Sequence, residues 1–324
     1  MSIEIRSVCC TYGSGTPFET KALKNISLTI EKGEFVGIMG RTGCGKSTLI
    51  QAIAGLIPIS GGQLLLDGED INAKSYDRSV LRRKLGIVFQ YPECQLFEQT
   101  VERDVAFGLK HSGLSNNEVH DRVKWALSVC GFDYDNVCKL SPFGMSGGEK
   151  RRIAIAGVLA VKPEYLILDE PIAGLDPLGR AAFLNLVTGL NAEGMTIIMI
   201  SHNADCIAEY ARRIIVLDNG ELAADGTPQE LFADADKMRA LHLGVSRSRE
   251  LGLMLTEKGF DINPAACTYD ELFSAVYGIL KDGGSDELAH DGAVYPGKQR
   301  IAQIGCKGKA HLLYRAHRRC DTGA

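Results

Sequence analysis

Residues 40–47, with the sequence Gly-Arg-Thr-Gly-Cys-Gly-Lys-Ser, constrain the fold more than any other part of the chain. They follow an apolar run at 34–39 that predicts a strand, and they precede a helix-like apolar spacing at 48–56. The pattern G-x-x-x-x-G-K-[ST] between a strand and a helix is typical of a phosphate-binding loop, here called the P-loop. Its glycines let successive backbone N–H groups face phosphate oxygens, and the following helix adds its positive N-terminal end. We therefore expect an α/β protein that binds a nucleotide at the end of this strand.

Two side chains of the P-loop have predicted chemical roles. Lys46 is expected to reach the β- and γ-phosphates of ATP, and the Ser47 hydroxyl is expected to bind Mg²⁺, which prefers oxygen ligands. A glycine-rich structural turn is the alternative interpretation. The residues expected to bind the nucleotide here are Gly40, Arg41, Thr42, Gly43, Cys44, Gly45, Lys46, Ser47 and Thr48.

The rest of the chain alternates between apolar runs of strand length and segments with helical spacing. Strands are predicted at 86–89, 165–168, 195–200 and 213–217, and helices at 117–130 and 177–190. This alternation predicts an α/β fold with parallel strands inside. Asn219 and Gly220 lie between two apolar arms and predict a tight hairpin turn.

Composition limits the class of protein. The 36 Lys and Arg against 40 Asp and Glu give a net charge of -4, which argues against a strongly electrostatic nucleic-acid binder but leaves a local basic patch open. The 10 cysteines include no C-x-x-C pair and follow no secretory segment, so a reducing cytoplasm is expected. No apolar run reaches the roughly 18 residues of a membrane-spanning helix. Any contact with a membrane is therefore expected to be peripheral.

A second element, Leu-Ile-Leu-Asp-Glu at 166–170, is an apolar strand that ends in the carboxylates of Asp169 and Glu170. It fits the Walker-B arrangement of P-loop nucleotidases. Asp169 is expected to hold Mg²⁺, and Glu170 is expected to orient or deprotonate the attacking water. A solvated strand end is the alternative interpretation of both carboxylates.

A third element separates the subclasses of P-loop proteins. Met-Ser-Gly-Gly-Glu at 145–149, here called the signature segment, opens a predicted helix at 150–161 and lies shortly before Asp169. Ser201 and His202 follow the strand predicted at 195–200. Together with the P-loop, these features resemble the ABC ATPase family over residues 3–232.

The resemblance implies an ATPase with a RecA-like parallel sheet core, an N-terminal antiparallel β subdomain and a helical subdomain that carries the signature segment. It implies that Gln90 is the Q-loop glutamine, that His202 is the switch histidine at the γ-phosphate, and that Tyr12 stacks on adenine. A surface glutamine is the alternative for Gln90. The expected catalytic residues are Glu170, His202, Gln90 and Lys46, and the expected metal ligands are Ser47, Gln90 and Asp169.

In this family the signature segment of one subunit completes the nucleotide site of another, which suits the attraction of helix N-termini for anions. The resemblance therefore implies that ATP closes a dimer. Met145, Glu149 and Cys44 depart from the usual family residues, and Glu149 brings a carboxylate near the opposing nucleotide. The residues expected to contact the partner's ATP are Ser146, Gly147, Gly148 and Asp176.

Four separated segments, at 15–18, 89–108, 141–143 and 151–159, resemble the ATPases of energy-coupling factor (ECF) importers of vitamins and other micronutrients. Within that group the chain is similar to the second of two paired ATPases. This implies a heterodimer with a homologous ATPase, contact with a transmembrane T component through the region after Gln90, and a separate S component that binds the substrate. It also implies a peripheral position on the cytoplasmic side of the cell membrane. We hypothesise that Glu98, Glu102 and Asp104 pair with basic residues of the T component; a solvated acidic face is the alternative.

The predicted domains are an ABC ATPase domain at 1–233, a small helical region at 234–282 and a disordered basic tail at 283–324. The helical region rests on two capping-box spacings, which begin at Thr227 and Thr268.

Three alternatives remain at this point. The first is the ATPase of another ABC importer, and the second is a soluble ABC ATPase of DNA repair or translation. The chain has neither the long coiled-coil insert of repair relatives nor the duplicated domain of translation relatives. The third is a non-hydrolysing ATP clamp, against which the presence of both Glu170 and His202 argues. The sequence does not identify a transported substrate.

Overall fold

Two β-sheets organise the part of the chain that the computed structural model describes, residues 2–110 and 112–282. The strands are β1 (Ser2–Tyr12), β2 (Thr20–Glu31), β3 (Phe35–Met39), β4 (Gly61–Leu66), β5 (Glu69–Asp70), β6 (Leu85–Val88), β7 (Tyr165–Asp169), β8 (Thr196–Ile200), β9 (Arg213–Asp218) and β10 (Glu221–Gly226). The helices are α1 (Lys46–Ile53), α2 (Arg78–Lys84), α3 (Val101–Ala106), α4 (Asn116–Val129), α5 (Tyr134–Val137), α6 (Gly147–Leu159), α7 (Pro177–Ala192), α8 (Ala204–Tyr210), α9 (Pro228–Ala233), α10 (Ala235–Ala240), α11 (Arg247–Glu257) and α12 (Tyr269–Asp282). Short 3₁₀ helices span Pro92–Gln95, Phe107–Leu109 and Pro142–Gly144.

The larger sheet has the strand order β10-β9-β3-β8-β7-β6. Every pair from β9 to β6 is parallel, and among the described strands of this sheet only the hairpin of β9 and β10 is antiparallel. The carboxyl ends of β3, β6, β7 and β8 therefore lie at one edge of the sheet, where α/β proteins bind ligands. The P-loop follows β3, and Glu170 follows β7.

The parallel strands are continuous apolar runs because both faces of the larger sheet are buried. In β7, Leu166 and Leu168 pack with the helices α4, α6 and α7, whereas Tyr165 and Ile167 face the cluster formed with α1 and the smaller sheet. The side chains alternate because successive strand residues point to opposite faces. The sheet is thus enclosed by two hydrophobic clusters, which hold its edge residues in place.

The smaller sheet is antiparallel and has the order β2-β1-β4-β5. It supplies the N-terminal antiparallel β part that was expected from the family resemblance. Ile3, Ile5 and Ile30 from this sheet pack with Leu49 and Ile50 of α1. The helix that follows the P-loop is therefore fixed between the two sheets.

Two helix boundaries differ from the prediction by three residues, and the others differ by two or fewer. Helix α1 ends at Ile53 instead of residue 56, because Gly55 follows in the left-handed conformation (φ 66°) that commonly ends a helix. Helix α6 begins at Gly147, three residues before the predicted start, because Ser146 and Glu149 form a reciprocal capping box. The predicted hairpin is confirmed, with positive φ at both Asn219 and Gly220.

Residues 1–276 form one compact unit, and α12 continues to Asp282. Both predicted capping boxes are present, at Thr227 with Glu230 and at Thr268 with Glu271. The domain division at 233 and 234 stays a prediction, and the tail at 283–324 lies outside the described residues. In the described ranges, every helix is too short or too polar to cross a membrane.

Candidate active site

A pocket of about 580 Å³ opens at the carboxyl edge of the larger sheet. It brings together most of the residues that the sequence predicted: Thr42, Gly43, Gly45, Lys46, Ser47, Thr48, Gln90, Asp169, Glu170 and His202. Ala22, Ala173 and Ile200 also line the pocket, and the sequence analysis missed them. These three side chains are small or apolar, so only their place in the fold identifies them.

Two glycines of the P-loop have no room for a side chain. A Cβ atom on Gly40 (φ 150°) would lie 2.4 Å from the Leu217 carbonyl oxygen, and one on Gly45 (φ 108°) would lie 2.7 Å from that of Ala22. Both conformations are also unfavourable for residues with a side chain. The loop therefore curls closely over the ends of neighbouring strands and leaves its open side to the pocket.

Lys46 supplies a positive charge at the base of the pocket. It is buried, and its Nζ donates hydrogen bonds to the carbonyl oxygens of Gly40 (2.6 Å) and Arg41 (2.8 Å). An ammonium group has three donors and can exchange such carbonyl partners for phosphate oxygens, which bind it more strongly.

Asp169 and Glu170, the acidic pair of the pocket, lie at the end of β7 and the start of the turn that follows it. Glu170 has a left-handed backbone (φ 47°), and its N–H donates to the Ile200 carbonyl oxygen at 3.0 Å. Its carboxylate accepts a hydrogen bond from the backbone N–H of His202 at 2.9 Å. Left-handed conformations of residues other than glycine are strained and are concentrated at functional sites. The turn thus aims the Glu170 carboxylate at His202 instead of following the strand.

Burial and neighbouring charges shift the pKa values of the three titratable side chains. Burial raises the pKa of Asp169, although the positive charge of Lys46 partly opposes this. Burial also raises the pKa of Glu170, opposed by the hydrogen bond from the His202 N–H and assisted by the charge of Asp169. Burial and Lys46 lower the pKa of His202. The site therefore favours a neutral imidazole beside a glutamate that is more basic than usual, which suits a general base.

The donor set in the pocket fits Mg²⁺. Within residues 2–110 and 112–282, no three His, Cys, Asp or Glu side chains are grouped as metal ligands. The pocket offers instead the Asp169 carboxylate, the Ser47 hydroxyl and the Gln90 amide, all of which present oxygen atoms. Mg²⁺ is typically bound by one or two carboxylates together with substrate phosphates and water. This chemistry suits a metal that arrives with a nucleotide.

Four residues predicted to bind the nucleotide lie outside the pocket lining: Tyr12, Gly40, Arg41 and Cys44. Tyr12 is half-exposed, and its hydroxyl donates to Thr48 Oγ1 at 3.4 Å, so its ring lies near the edge of the site. Arg41 points to Asp218 at 3.4 Å. The Cys44 side chain is buried, so this departure from the usual family residue lies in the interior of the loop.

The residues expected to contact a partner's ATP also lie away from the pocket of this chain. Ser146, Gly147 and Gly148 are exposed at the start of α6, and no heavy atom would lie within 4 Å of a Cβ atom on either glycine. Asp176 is exposed at the start of α7, where its side chain accepts from the Gly179 N–H at 3.1 Å. The structure thus gathers one set of predicted residues in a pocket and leaves the other set on the surface.

Arg151 is a further residue that the sequence analysis did not single out, except as part of the segment 151–159. It extends from α6 to the Ala173 carbonyl oxygen (2.7 Å) and toward Glu93 (3.7 Å). A buried arginine cannot be distinguished from an exposed one by helical spacing alone, so the sequence offers no signal for this contact.

Comparisons with known proteins agree with this geometry. A family model described as ABC transporter matches residues 23–173. The energy-coupling factor transporter ATP-binding protein EcfA2 of Clostridioides difficile (strain 630) is 43% identical over 286 residues, which cover 88% of this chain and 99% of that protein. The solved structure of cbiO1 from Clostridium perfringens, part of the ABC transporter complex cbiONQ, has a TM-score of 0.66 and 36% identity, covering 78% of this chain and 98% of that one. The dimeric structure of MJ0796 bound to ADP and Pi has a TM-score of 0.61 and 29% identity, covering 69% and 98%.

These findings confirm the fold that the sequence resemblance implied, with its parallel core sheet. They also confirm, at the level of the family, the expectation of an ATPase coupled to transport. The chain therefore belongs to the ABC transporter ATPases and, among them, to the energy-coupling factor transporter ATP-binding proteins.

Proposed function

We propose that this chain binds ATP with Mg²⁺ in the pocket, hydrolyses it, and so drives uptake of a micronutrient through membrane partners. The observation that carries the proposal is the convergence of Lys46, Glu170 and His202 on one pocket at the end of parallel strands. A pocket that held nucleotide without hydrolysing it would not need a glutamate fixed by the N–H of a neighbouring histidine.

The roles of the side chains follow from their positions. The P-loop N–H groups and Lys46 bind the phosphates, and the exposed amide of Gln90 reaches the pocket from the end of β6. When bound, Mg²⁺ would be held by Ser47, Asp169 and Gln90 and would neutralise charge on the phosphates. Glu170 orients the attacking water and accepts its proton, while His202, whose Nε2 lies 3.4 Å from Glu170 Oε1, contacts the γ-phosphate.

The second half of the proposal is a dimer. The exposed starts of α6 and α7 offer Ser146, Gly147, Gly148 and Asp176 to the nucleotide of a paired, homologous ATPase. The dimeric structure of MJ0796 supports this arrangement in a chain of similar fold. ATP between the two subunits would close the dimer, and hydrolysis would reopen it.

The segment after Gln90 is the proposed contact with a transmembrane T component. Phe97 and Phe107 are exposed and pack edge to face at 4.6 Å, so they present an apolar surface. The acidic residues that were expected to pair with the T component have partners within the chain. Asp104 accepts the N–H groups of Phe97 (3.0 Å) and Glu98 (2.8 Å). Apolar contact through the two rings is therefore better supported than charge pairing.

The cytoplasmic side of the cell membrane is the proposed location. The chain would bind the T component at this side of the membrane and would act on the substrate-binding S component only through the T component. The cbiONQ complex to which cbiO1 belongs supports a multi-component assembly of this kind.

Co-purification tests the proposal. The tagged chain is expressed with its genomic neighbours and purified from solubilised membranes, and ATP turnover is measured. We expect a second ATPase and an integral membrane protein to co-purify, with turnover that Glu170→Gln abolishes. Recovery of soluble partners only would favour the non-transport alternative, and turnover that persists in Glu170→Gln would contradict the proposed catalytic site.

A further inference from the structure

Arg151 lies on α6 with a side chain that is only 5% exposed. Its Nη1 donates a hydrogen bond of 2.7 Å to the Ala173 carbonyl oxygen. Ala173 itself lines the nucleotide pocket. A buried guanidinium therefore connects α6, the helix that begins in the signature segment, to the wall of the pocket.

The second contact of Arg151 is incomplete. Its Nε lies 3.7 Å from Glu93 Oε2, which is too long for a hydrogen bond. Within the described residues, the Nε and Nη2 atoms of Arg151 and the Oε2 atom of Glu93 have no hydrogen-bond partner. Buried polar atoms without partners are unfavourable, and a charge-assisted hydrogen bond between these groups would be about 1 Å shorter. The pair is thus separated by a distance that a small movement would close.

The two residues that Arg151 approaches, Glu93 and Ala173, each follow a pocket residue closely along the chain. Glu93 comes three residues after Gln90, and Ala173 comes three residues after Glu170. A tight turn lies within or overlaps each connection. The Cys94 N–H bonds the Tyr91 carbonyl oxygen at 3.0 Å, and the Ala173 N–H bonds that of Glu170 at 3.2 Å. Each contact of Arg151 is therefore separated from a pocket residue by only three residues along a hydrogen-bonded segment.

We propose that Arg151 is a positioning residue that couples the segment after Gln90 to the turn that holds Glu170. When the Pro92–Gln95 helix moves toward α6, Glu93 forms a hydrogen bond with Arg151. The guanidinium then holds the Ala173 carbonyl and keeps the Glu170 turn in its catalytic position. This inference rests on the proposed function, because it gives contact with a membrane partner a route to the catalytic glutamate.

Two other arginines on the helical side of the larger sheet, the exposed Arg152 and the half-buried Arg122, do not have this geometry. Arg152, the next residue, stacks on the Phe132 ring at 4.5 Å and donates to the Cys130 carbonyl oxygen. Arg122 donates to the Val161 carbonyl oxygen at 2.8 Å. Both bonds stay among helices away from the pocket, so Arg122 is a matched control: an arginine that also bonds a backbone carbonyl.

The test uses the complete co-purified complex. Arg151→Gln, Glu93→Gln and the double variant are compared with Arg122→Gln for ATP affinity, KM, kcat and unfolding temperature. We expect each single variant to lower kcat about tenfold, with KM and ATP affinity within about twofold, because neither side chain lines the pocket. The double variant should lose no more than Arg151→Gln alone. Arg151→Lys should not restore kcat, because one ammonium cannot bond Ala173 and Glu93 in the planar geometry of a guanidinium.

The outcomes of this experiment distinguish the proposed role of Arg151 from the proposed function of the chain. If the wild-type complex hydrolyses ATP and Glu170→Gln abolishes it, but the Arg151 and Glu93 variants keep the wild-type kcat, the inference is overturned while the proposed function stands. A lower unfolding temperature with unchanged kcat would mean that Arg151 is only structural. Additive losses in the double variant would also overturn the coupling. A wild-type complex without ATP turnover would remove both claims.

Discussion

The carboxylate of Glu170 is held by the backbone N–H of His202 at 2.9 Å, and the imidazole Nε2 of His202 lies 3.4 Å from the same oxygen. The first contact belongs to the main chain and survives any substitution at position 202 that keeps the fold. The second depends on the imidazole. The main chain of His202 thus positions the Glu170 carboxylate, and the imidazole makes a separate contact with it.

This separation predicts an order of effects on catalysis. His202→Ala should leave Glu170 in place and lower ATP turnover by about 100-fold, the lower end of the range for one lost donor to the reacting group. Glu170→Gln keeps an oxygen for the His202 N–H but removes the general base, and should lower turnover by about 10²- to 10⁴-fold. Phosphate release by the purified complex measures both. A larger loss in His202→Ala than in Glu170→Gln would contradict the assigned roles.

The P-loop glycines give a prediction on stability. Gly40→Ala places a Cβ atom 2.4 Å from the Leu217 carbonyl oxygen, whereas Gly43→Ala (φ 81°) meets no heavy atom within 4 Å. Both variants carry the penalty of a positive φ, about 1–2 kcal/mol. The free energy of unfolding should therefore fall by about 2 kcal/mol more in Gly40→Ala than in Gly43→Ala. Denaturant unfolding of the two variants measures the difference, and equal losses would show that the loop has room to move.

The sequence predicts the parallel core well because local physics determines it. The run 165–168 is apolar on both faces, and the P-loop pattern ties a strand to a helix at known spacing. The pocket residues of the P-loop and the pair Asp169 and Glu170 could be assigned for the same reason, since the P-loop follows β3 and the acidic pair lies at the end of β7.

Contacts between distant segments could not be predicted in this way. The left-handed turn at Glu170, the distance from Arg151 to Glu93, and the entry of Ala22 into the pocket all depend on how separate elements pack. The start of α6 also differs, because the Ser146–Glu149 capping box begins the helix at Gly147, three residues before the predicted start. Periodicity locates the buried face of a helix, and capping locates its end.

Glu271 links the start of α12 to α9 and predicts a dependence of stability on pH. Its carboxylate accepts hydrogen bonds of 2.9 Å from the Gln229 side chain and from the N–H groups of Cys267 and Thr268. Burial alone would raise the pKa of Glu271, but these hydrogen bonds lower it to about 2. Because the folded pKa lies below the ordinary value, the unfolded chain binds the proton more readily. The stabilisation is present above about pH 4.5 and is lost as pH falls toward 2.

Glu271→Gln should therefore lower the free energy of unfolding by about 1.5–3 kcal/mol at pH 7, the range for hydrogen bonds to a charged group. The difference from wild type should shrink as the pH is lowered from 5 to 3. Unfolding of both chains at several pH values measures this. The exposed Glu257→Gln on α11 is the control and should be nearly neutral throughout. A difference that grows on acidification would contradict the hydrogen-bonded carboxylate.

The signature segment gives the last prediction, because the Ser146 N–H and hydroxyl both donate to Glu149 Oε2, at 2.9 and 2.7 Å. These bonds lower the pKa of Glu149, so a full negative charge faces the γ-phosphate of the partner's ATP in the proposed dimer. Glu149→Gln should increase ATP-driven association with the paired ATPase about threefold or more, measured by sedimentation over a range of ATP concentrations. Glu118 forms the same capping box with Ser115 on α4, so Glu118→Gln reports the loss of capping alone. Equal association in the two variants would mean that the Glu149 charge does not oppose closure.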